Sequence, residues 1–367
     1  GLSAREALGC YYSGYPEWKL SEADGVRVRS HAWRTLVTYG LHSKVPERFR
    51  PSNRSLFRWQ DDGFDRWVGK VLESADFHHG IPGQCLRAFR RARELGVPTV
   101  LNHATGPVTQ LAEILQPEYD RIGKKVSRDG GFGQGYLDRV AAEWELSDYH
   151  CCASSIVKEQ LVAEGVEASR IGVVGYGADP SVWNRDTSAG KGPVRGDAPF
   201  RILFAGQLSL RKGIRFLLEA LEAAGKKDWK LDCFGPVSEE TAMDREGYQG
   251  QIPVQYHGPC SQERLAQEMH RSDVLVLPSL EEGFGLVVVQ ALACGLPCLV
   301  SDRVGAKDLI RHRQNGSVVP VGDSEALFEE LQWWQGARRE FSGCFDWTQP
   351  VEKFLTLHEE WKGKPVG

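Results

Sequence analysis

From about residue 70 onward, apolar residues fall into two alternating patterns. Short continuous runs such as 97-VPTVLNH-103 read as buried strands. Longer stretches with apolar positions three and four apart read as helices. The first half predicts helix 84–95, strand 97–103, helices 108–122 and 136–149, strand 149–154, helix 155–164 and strand 171–175. Gly96, followed by Val97 and Pro98, marks the stop of the first helix. The segment 186-DTSAGKGPVRGDAP-199 has no apolar periodicity, and its Gly, Pro and Ser content predicts a linker. The order then restarts with strand 201–206, helix 213–224, strands 230–235 and 253–258, helix 261–270, strand 274–278, a helix opening near Gly285, and strand 297–301. A last helix is expected near 350–361, with Val351, Phe354, Leu355 and Trp361 as its apolar positions.

Alternation of this kind predicts an α/β fold, with parallel sheets covered by helices on both faces. The expected units are 1–185, the linker 186–199, 200–345, and a helix within 346–367 that packs back toward the first unit. Two such units in tandem leave a cleft where strand C-termini face a ligand. The chain opens on Gly1, and GLSAREALGC reads as the end of a helix, so a start upstream of Gly1 is expected.

Composition narrows the function. At 367 residues and 41% hydrophobic, the chain can bury a large core and has the length of two domains. A formal charge of −4 argues against a nucleic-acid binder. Nine cysteines without a C-x-x-C pair fit neither a disulfide framework nor a zinc site, and a cytoplasmic setting is expected. No apolar run approaches the ~18–20 residues of a membrane span, and no signal peptide is evident.

Charge is unevenly placed. Residues 25–70 carry ten Arg and Lys against four Asp and Glu, interleaved with Trp33, Tyr39, Phe49, Phe57, Trp59, Phe64 and Trp67. Two readings stand. The block is a docking face for an anionic acceptor or for the inner face of a membrane. Alternatively it is a loop-rich acceptor region with core aromatics and solvated arginines. The second is favoured by sequence alone, because basic surface clusters are common. The glycine loop 130–135 does not follow a strand and fails the dinucleotide fingerprint, and 190-GKG-192 lacks the upstream glycine of a P-loop.

Two stretches carry chemistry. In 201-RILFAGQLSLRKGIRFLLEAL-221 a strand ends at Gly206, Arg211 and Lys212 follow, and Gly213 opens a helix. Cations at a strand's C-terminal edge beside a helix start suit an anion such as a diphosphate; the plain alternative is solvated loop charges. In 279-SLEEGFGLVVVQALACG-295, Gly283 and Gly285 allow close approach to backbone. The first-turn N–H groups and the helix dipole favour a negative charge. Glu282 then suits neutral sugar hydroxyls, and Leu286 and Gln290 lie one turn apart on one face.

These stretches resemble retaining GT-B glycosyltransferases of family four. The likeness runs through FAGQLSLRKG, QYHGPCSQERLAQEMHRSDVLVLPS, EEGFGLVVVQALACGLPCLVS and NGSVVP, with 148–179 and 345–361 similar to the end of the first domain and to the closing helix. The resemblance implies two Rossmann-like domains facing across a cleft, with a nucleotide-sugar donor held mainly by the second. Lys212 matches the lysine of a G-R-x4-K-G segment that binds the donor diphosphate, and Gln207 stands where arginine is usual. Arg211 is the candidate to supply that charge. The E-x7-E segment maps onto Glu282, which would contact the transferred sugar, and Gln290, which stands where a ribose-binding glutamate is usual. An amide both donates and accepts, so ribose contact survives without the strength of a charge.

The donor-binding set implied is therefore Gly206, Gln207, Gly283, Phe284, Gly285, Leu286 and Gln290. Arg211, Lys212 and the amides near Gly285 and Leu286 would stabilise the charge that develops on the leaving diphosphate. His103, at a strand end, is the candidate histidine facing the donor sugar, with Gly106 as the alternative register and His78 and His79 ranked below. The family's opening apolar strand and glycine-rich loop are not visible in the sequence. The chain holds no Asp-x-Asp triplet, so neither a metal nor a cofactor is expected. The expected partners are a nucleotide sugar and a saccharide or lipid-linked acceptor. A catalytically silent nucleotide-sugar-binding protein and a nucleotide-sugar epimerase on the same scaffold remain as alternatives.

Overall fold

The computed structural model describes residues 8–16, 27–126, 133–185, 198–225, 228–337, 341 and 343–362, with Glu47 described by its backbone alone. Most of the predicted linker and of the glycine loop therefore lies outside the described residues.

The second half builds one six-stranded parallel sheet. Its strands are β7 (Phe200–Ala205), β8 (Trp229–Phe234), β9 (Val254–Gly258), β10 (Val274–Leu277), β11 (Cys298–Ser301) and β12 (Gly316–Val319), in the order β12-β11-β10-β7-β8-β9. Helices α7 (Ile214–Ala223), α8 (Ala242–Gly247), α9 (Gln262–Arg271), α10 (Leu286–Ala293) and α11 (Ser324–Gly336) accompany it. Side chains alternate across each strand. Leu203, Ala205, Leu275 and Leu277 enter one core, while Ile202, Phe204, Val274 and Val276 enter the other. Both faces of β7 and β10 are buried, which is why these two strands read as apolar runs. The winding reverses between β7 and β10, and the crevice at such a reversal is where open α/β sheets bind ligands.

The first half has a four-stranded parallel sheet, β3 (His78–Gly80), β4 (Thr99–His103), β5 (Tyr149–Cys152) and β6 (Ile171–Val173), in chain order. Helices α3 (Leu86–Glu94), α4 (Val108–Arg121), α5 (Gln134–Leu146) and α6 (Ser155–Ala163) belong to it. Strands β1 (Tyr11–Ser13) and β2 (Val28–Ser30) pair in parallel apart from this sheet. Among the described residues it gains no strand beyond β3.

The block 25–70 departs from the favoured reading. It is mostly helical, as α1 (Trp33–Lys44) and α2 (Asn53–Val71). The periodicity is hidden because both helices mix arginines with aromatics on faces that meet water. On its inner side α2 buries Asp65, which accepts the Arg87 and Ala88 N–H groups at 2.9 Å each. From α5, buried Glu143 accepts Cys85 N–H at 2.9 Å and Leu86 N–H at 3.0 Å. Helix α3 has no local side-chain cap, so carboxylates from two other helices satisfy its first turn, and Arg139 pairs with both acids.

The last helix, α12 (Thr348–Lys362), lies on the first sheet rather than the second. Trp361 stacks on Tyr149 with ring centroids 4.6 Å apart, and His358 Nε2 is 2.8 Å from His79 Nε2.

Candidate active site

The loops after β7 and β10 meet at the winding reversal. After Gly206 the first makes a short 3-10 turn, Leu210–Lys212, and ends at Gly213 with φ 67°. A Cβ on Gly213 would overlap the Pro278 carbonyl, so only glycine permits this backbone-to-backbone fit. The Leu280 N–H donates to the Arg211 carbonyl at 2.8 Å and locks the loops together.

Four charges converge there. Lys212 Nζ pairs with the Glu282 carboxylate. Arg211 Nη1 lies 3.3 Å from the same Glu282 Oε2 and 3.3 Å from Glu281 Oε2, and donates to the Glu281 carbonyl at 3.0 Å. Sequence reasoning missed Glu281. It is 3% exposed, and burial raises its carboxyl above the usual range, opposed by the Arg211 charge. The doubled acid at 281–282 was the available signal. Which of the two turns inward depends on the opposing loop.

The remaining predicted donor residues lie close by. A Cβ on Gly206 would lie 3.9 Å from Lys212 Cε, and Gln207 is exposed. Gly285 has φ 93° and caps α10. Leu286 is exposed, and Gln290 is partly exposed with no side-chain hydrogen bond recorded among the described residues. Gly283 and Phe284 serve the domain interface. A Cβ on Gly283 would overlap the Ala104 carbonyl, its own carbonyl accepts the Ser154 hydroxyl at 2.6 Å, and buried Phe284 meets Tyr176 edge-on at 5.0 Å. The expectation of ligand against bare backbone at Gly283 is therefore corrected: the backbone of the first domain lies there.

His103 is also corrected. Its ring is 4% exposed, with Nε2 3.0 Å from His150 Nδ1 and Trp144 edge-on at 5.5 Å. It points into the first domain, and the next residues, Ala104 and Thr105, carry backbone to the Gly283 turn. Gly106 faces the Gln160 side chain. His78 packs edge-on against Tyr12 and Phe89, and His79 contacts Asn102 and His358.

Burial drops His103 to about 4 and His150 to about 3. Between those values and ~6.5 the unfolded chain binds protons that the folded chain does not, so stability falls as pH falls through that window. The slope is at most about 1.4 kcal/mol per pH unit for each ring. Urea unfolding at pH 7 and pH 5 should show a smaller loss in His150→Phe than in the parent; equal losses would rule this contribution out.

Sequence reasoning also missed the part played by α4. Glu118 pairs with Arg215 at 2.6 Å, Arg121 with Asp244 at 2.9 Å, and Tyr119 donates to Glu240 at 2.8 Å. Leu115 joins Phe216 and Leu280 in one apolar cluster beside the cationic loop.

Residues 199–334, which hold both loops, match the family described as glycosyl transferases group 1. The match lies within the C-terminal half of the chain. The lipopolysaccharide 1,6-galactosyltransferase of Escherichia coli K12 is 30% identical over 184 residues, 48% of this chain and 49% of that protein. The chain spans about half the length of the curated relatives it matches. Among solved structures, the apo lipopolysaccharide outer core galactosyltransferase WaaB has a TM-score of 0.61 at 20% identity, covering 95% of this chain and 87% of its own. Anabaena Alr3699/HepE in complex with UDP has a TM-score of 0.60 at 17% identity, covering 95% and 89%. These likenesses establish the GT-B architecture, two Rossmann-like domains facing each other. Within the matched segment, the loops at the winding reversal are the two that carry the Lys-Gly and E-x7-Q segments.

Proposed function

We propose that the protein is a retaining glycosyltransferase that moves a sugar from a nucleotide-diphosphate sugar to an acceptor hydroxyl without a metal ion. One observation carries the proposal. Arg211, Lys212 and Glu282 converge at the winding reversal of a group 1 glycosyltransferase domain. The two cations suit the diphosphate, and Glu282, once released from them, suits sugar hydroxyls. As the bond from the anomeric carbon to the diphosphate breaks, the acceptor oxygen bonds to that carbon on the same face. The acceptor proton passes to the leaving diphosphate. Negative charge grows on the diphosphate, where Arg211 and Lys212 stabilise it in place of a metal ion. Arg211 supplies the charge that Gln207 lacks, since it reaches the same Glu282 oxygen as Lys212. UDP bound to a structural neighbour supports a nucleoside diphosphate as the donor class. The lipopolysaccharide galactosyltransferases among the similar proteins support a saccharide or lipid-linked acceptor. Nine free cysteines fit a cytoplasmic setting.

A thermal-shift panel of uridine, guanosine and adenosine diphosphates tests the donor class, because a ligand of the folded state raises its melting point. A donor panel with product analysis then tests transfer. No shift and no transfer would remove the proposal. Tight binding without turnover would make the protein a silent nucleotide-sugar binder.

Gln290 gives a narrower test. Gln290→Glu should keep or strengthen nucleotide affinity. Gln290→Leu should weaken it by roughly tenfold, the scale of one hydrogen bond in a partly buried site. Titration calorimetry decides, and unchanged affinity in the leucine variant would take the ribose away from α10.

A further inference from the structure

We propose that Tyr119 and Glu240 are positioning residues for the Arg211–Lys212 turn, so that a helix of the first domain sets where the two cations stand. This rests on the proposed function, in which that turn receives the donor diphosphate. The turn is a single 3-10 turn, Leu210–Lys212, and Ser209 before it makes no side-chain cap. It closes through Lys212 N–H on the Ser209 carbonyl at 3.1 Å and Gly213 N–H on the Leu210 carbonyl at 3.0 Å. So short a turn leaves its first amide in need of an acceptor from elsewhere.

Glu240 provides that acceptor. The loop after β8 runs beside the loop after β7, with Leu208 N–H donating to the Pro236 carbonyl and Ser238 N–H to the Leu208 carbonyl, both at 2.9 Å. That register brings Glu240 Oε1 to the Leu210 N–H at 3.1 Å, where it stands in for the missing cap. Glu240 Oε2 accepts the Tyr119 hydroxyl of α4 at 2.8 Å. One carboxylate thus joins a side chain of the first domain to the amide that opens the cationic turn. Burial, and then the bond to Glu240, pushes Tyr119 up to about 12, so its hydroxyl stays a donor through the neutral range.

The other end of the turn is held from the same helix. Glu118 takes Arg215, in the first turn of α7, with both oxygens, at 2.6 and 3.1 Å. Arg211, Lys212 and Gly213 therefore lie between two grips of α4, one at Leu210 and one at Arg215. Adhesion between the domains does not by itself call for contacts at those two positions; Arg121 and Asp244, 2.9 Å apart, join α4 to α8 instead. Preorganised charges lose much of their effect when displaced by about 1 Å, which gives the two grips a catalytic consequence.

Tyr119→Phe removes the hydroxyl and keeps the ring. Hydrogen exchange of the 208–213 amides should quicken several-fold, although the substitution lies in the other domain. The kcat for transfer should fall about tenfold while KM for the donor moves less than about threefold, because the cations act on charge that grows in the transition state. Glu240→Ala should reproduce both effects. Glu240→Gln, whose amide oxygen still accepts the Leu210 N–H, should recover most of the lost rate. Unchanged exchange in Tyr119→Phe would overturn the proposal. So would an unchanged kcat in that variant of an active parent, or a Glu240→Gln variant as slow as Glu240→Ala. A parent that neither binds a nucleoside diphosphate nor transfers sugar removes the proposed function alone, and the exchange rates of Tyr119→Phe then decide the positioning role.

Discussion

Lys212→Ala should abolish the rise in melting temperature that a nucleoside diphosphate gives the parent, and should lower transfer by roughly two to three orders of magnitude. The scale is that of removing one preorganised charge-stabilising group from an active site. The surroundings of Lys212 explain why neighbours would not compensate. Its side chain is only 12% exposed, and Gly213 and the Leu280–Arg211 hydrogen bond hold its loop in place. Arg211 shares the Glu282 oxygen with Lys212, but Glu281 already engages it through both carboxylate and carbonyl. Binding measured alongside transfer gives the check. A variant that kept full diphosphate affinity would place the phosphate elsewhere.

Glu282→Gln should separate binding from turnover. One carboxylate oxygen of Glu282 engages both Lys212 and Arg211. A donor diphosphate must displace it, and the internal pairing therefore competes with binding. Neutral glutamine removes that competition, so affinity for the free nucleoside diphosphate should hold or rise several-fold, the scale of one charge-assisted contact. Transfer should fall by about a hundredfold or more, because glutamine grips sugar hydroxyls without a charge and the transition state loses an orienting contact. Calorimetry for the diphosphate and steady-state rates for transfer give the two halves. A parallel loss of both would mean that Glu282 holds the loop rather than the sugar.

Gln290 stands out in the sequence because an amide interrupts an apolar helix, and the structure leaves it partly exposed on α10, one turn from exposed Leu286. His103 ends β4 as its sequence position predicts, but its ring turns into the first domain. Alternation along β4 sends Asn102 toward His79 and His103 toward His150. Sequence position locates the strand end, whereas the covering elements decide which side is buried.

Local chemistry along the chain determined the alternation of strands and helices, the restart after residue 199, and the two loops that pair glycines with charge. Each is written within a few residues, by run length, spacing and backbone permission. Contacts between distant segments decided the rest. The order of the second sheet brings Lys212 to Glu282, seventy residues on. The first domain, rather than a ligand, occupies the space against Gly283. The packing of α2 on α3 turns Asp65 inward and leaves Phe57 and Trp59 outside. Burial and charge pairing depend on what arrives from elsewhere in the chain, and no local pattern encodes that arrival.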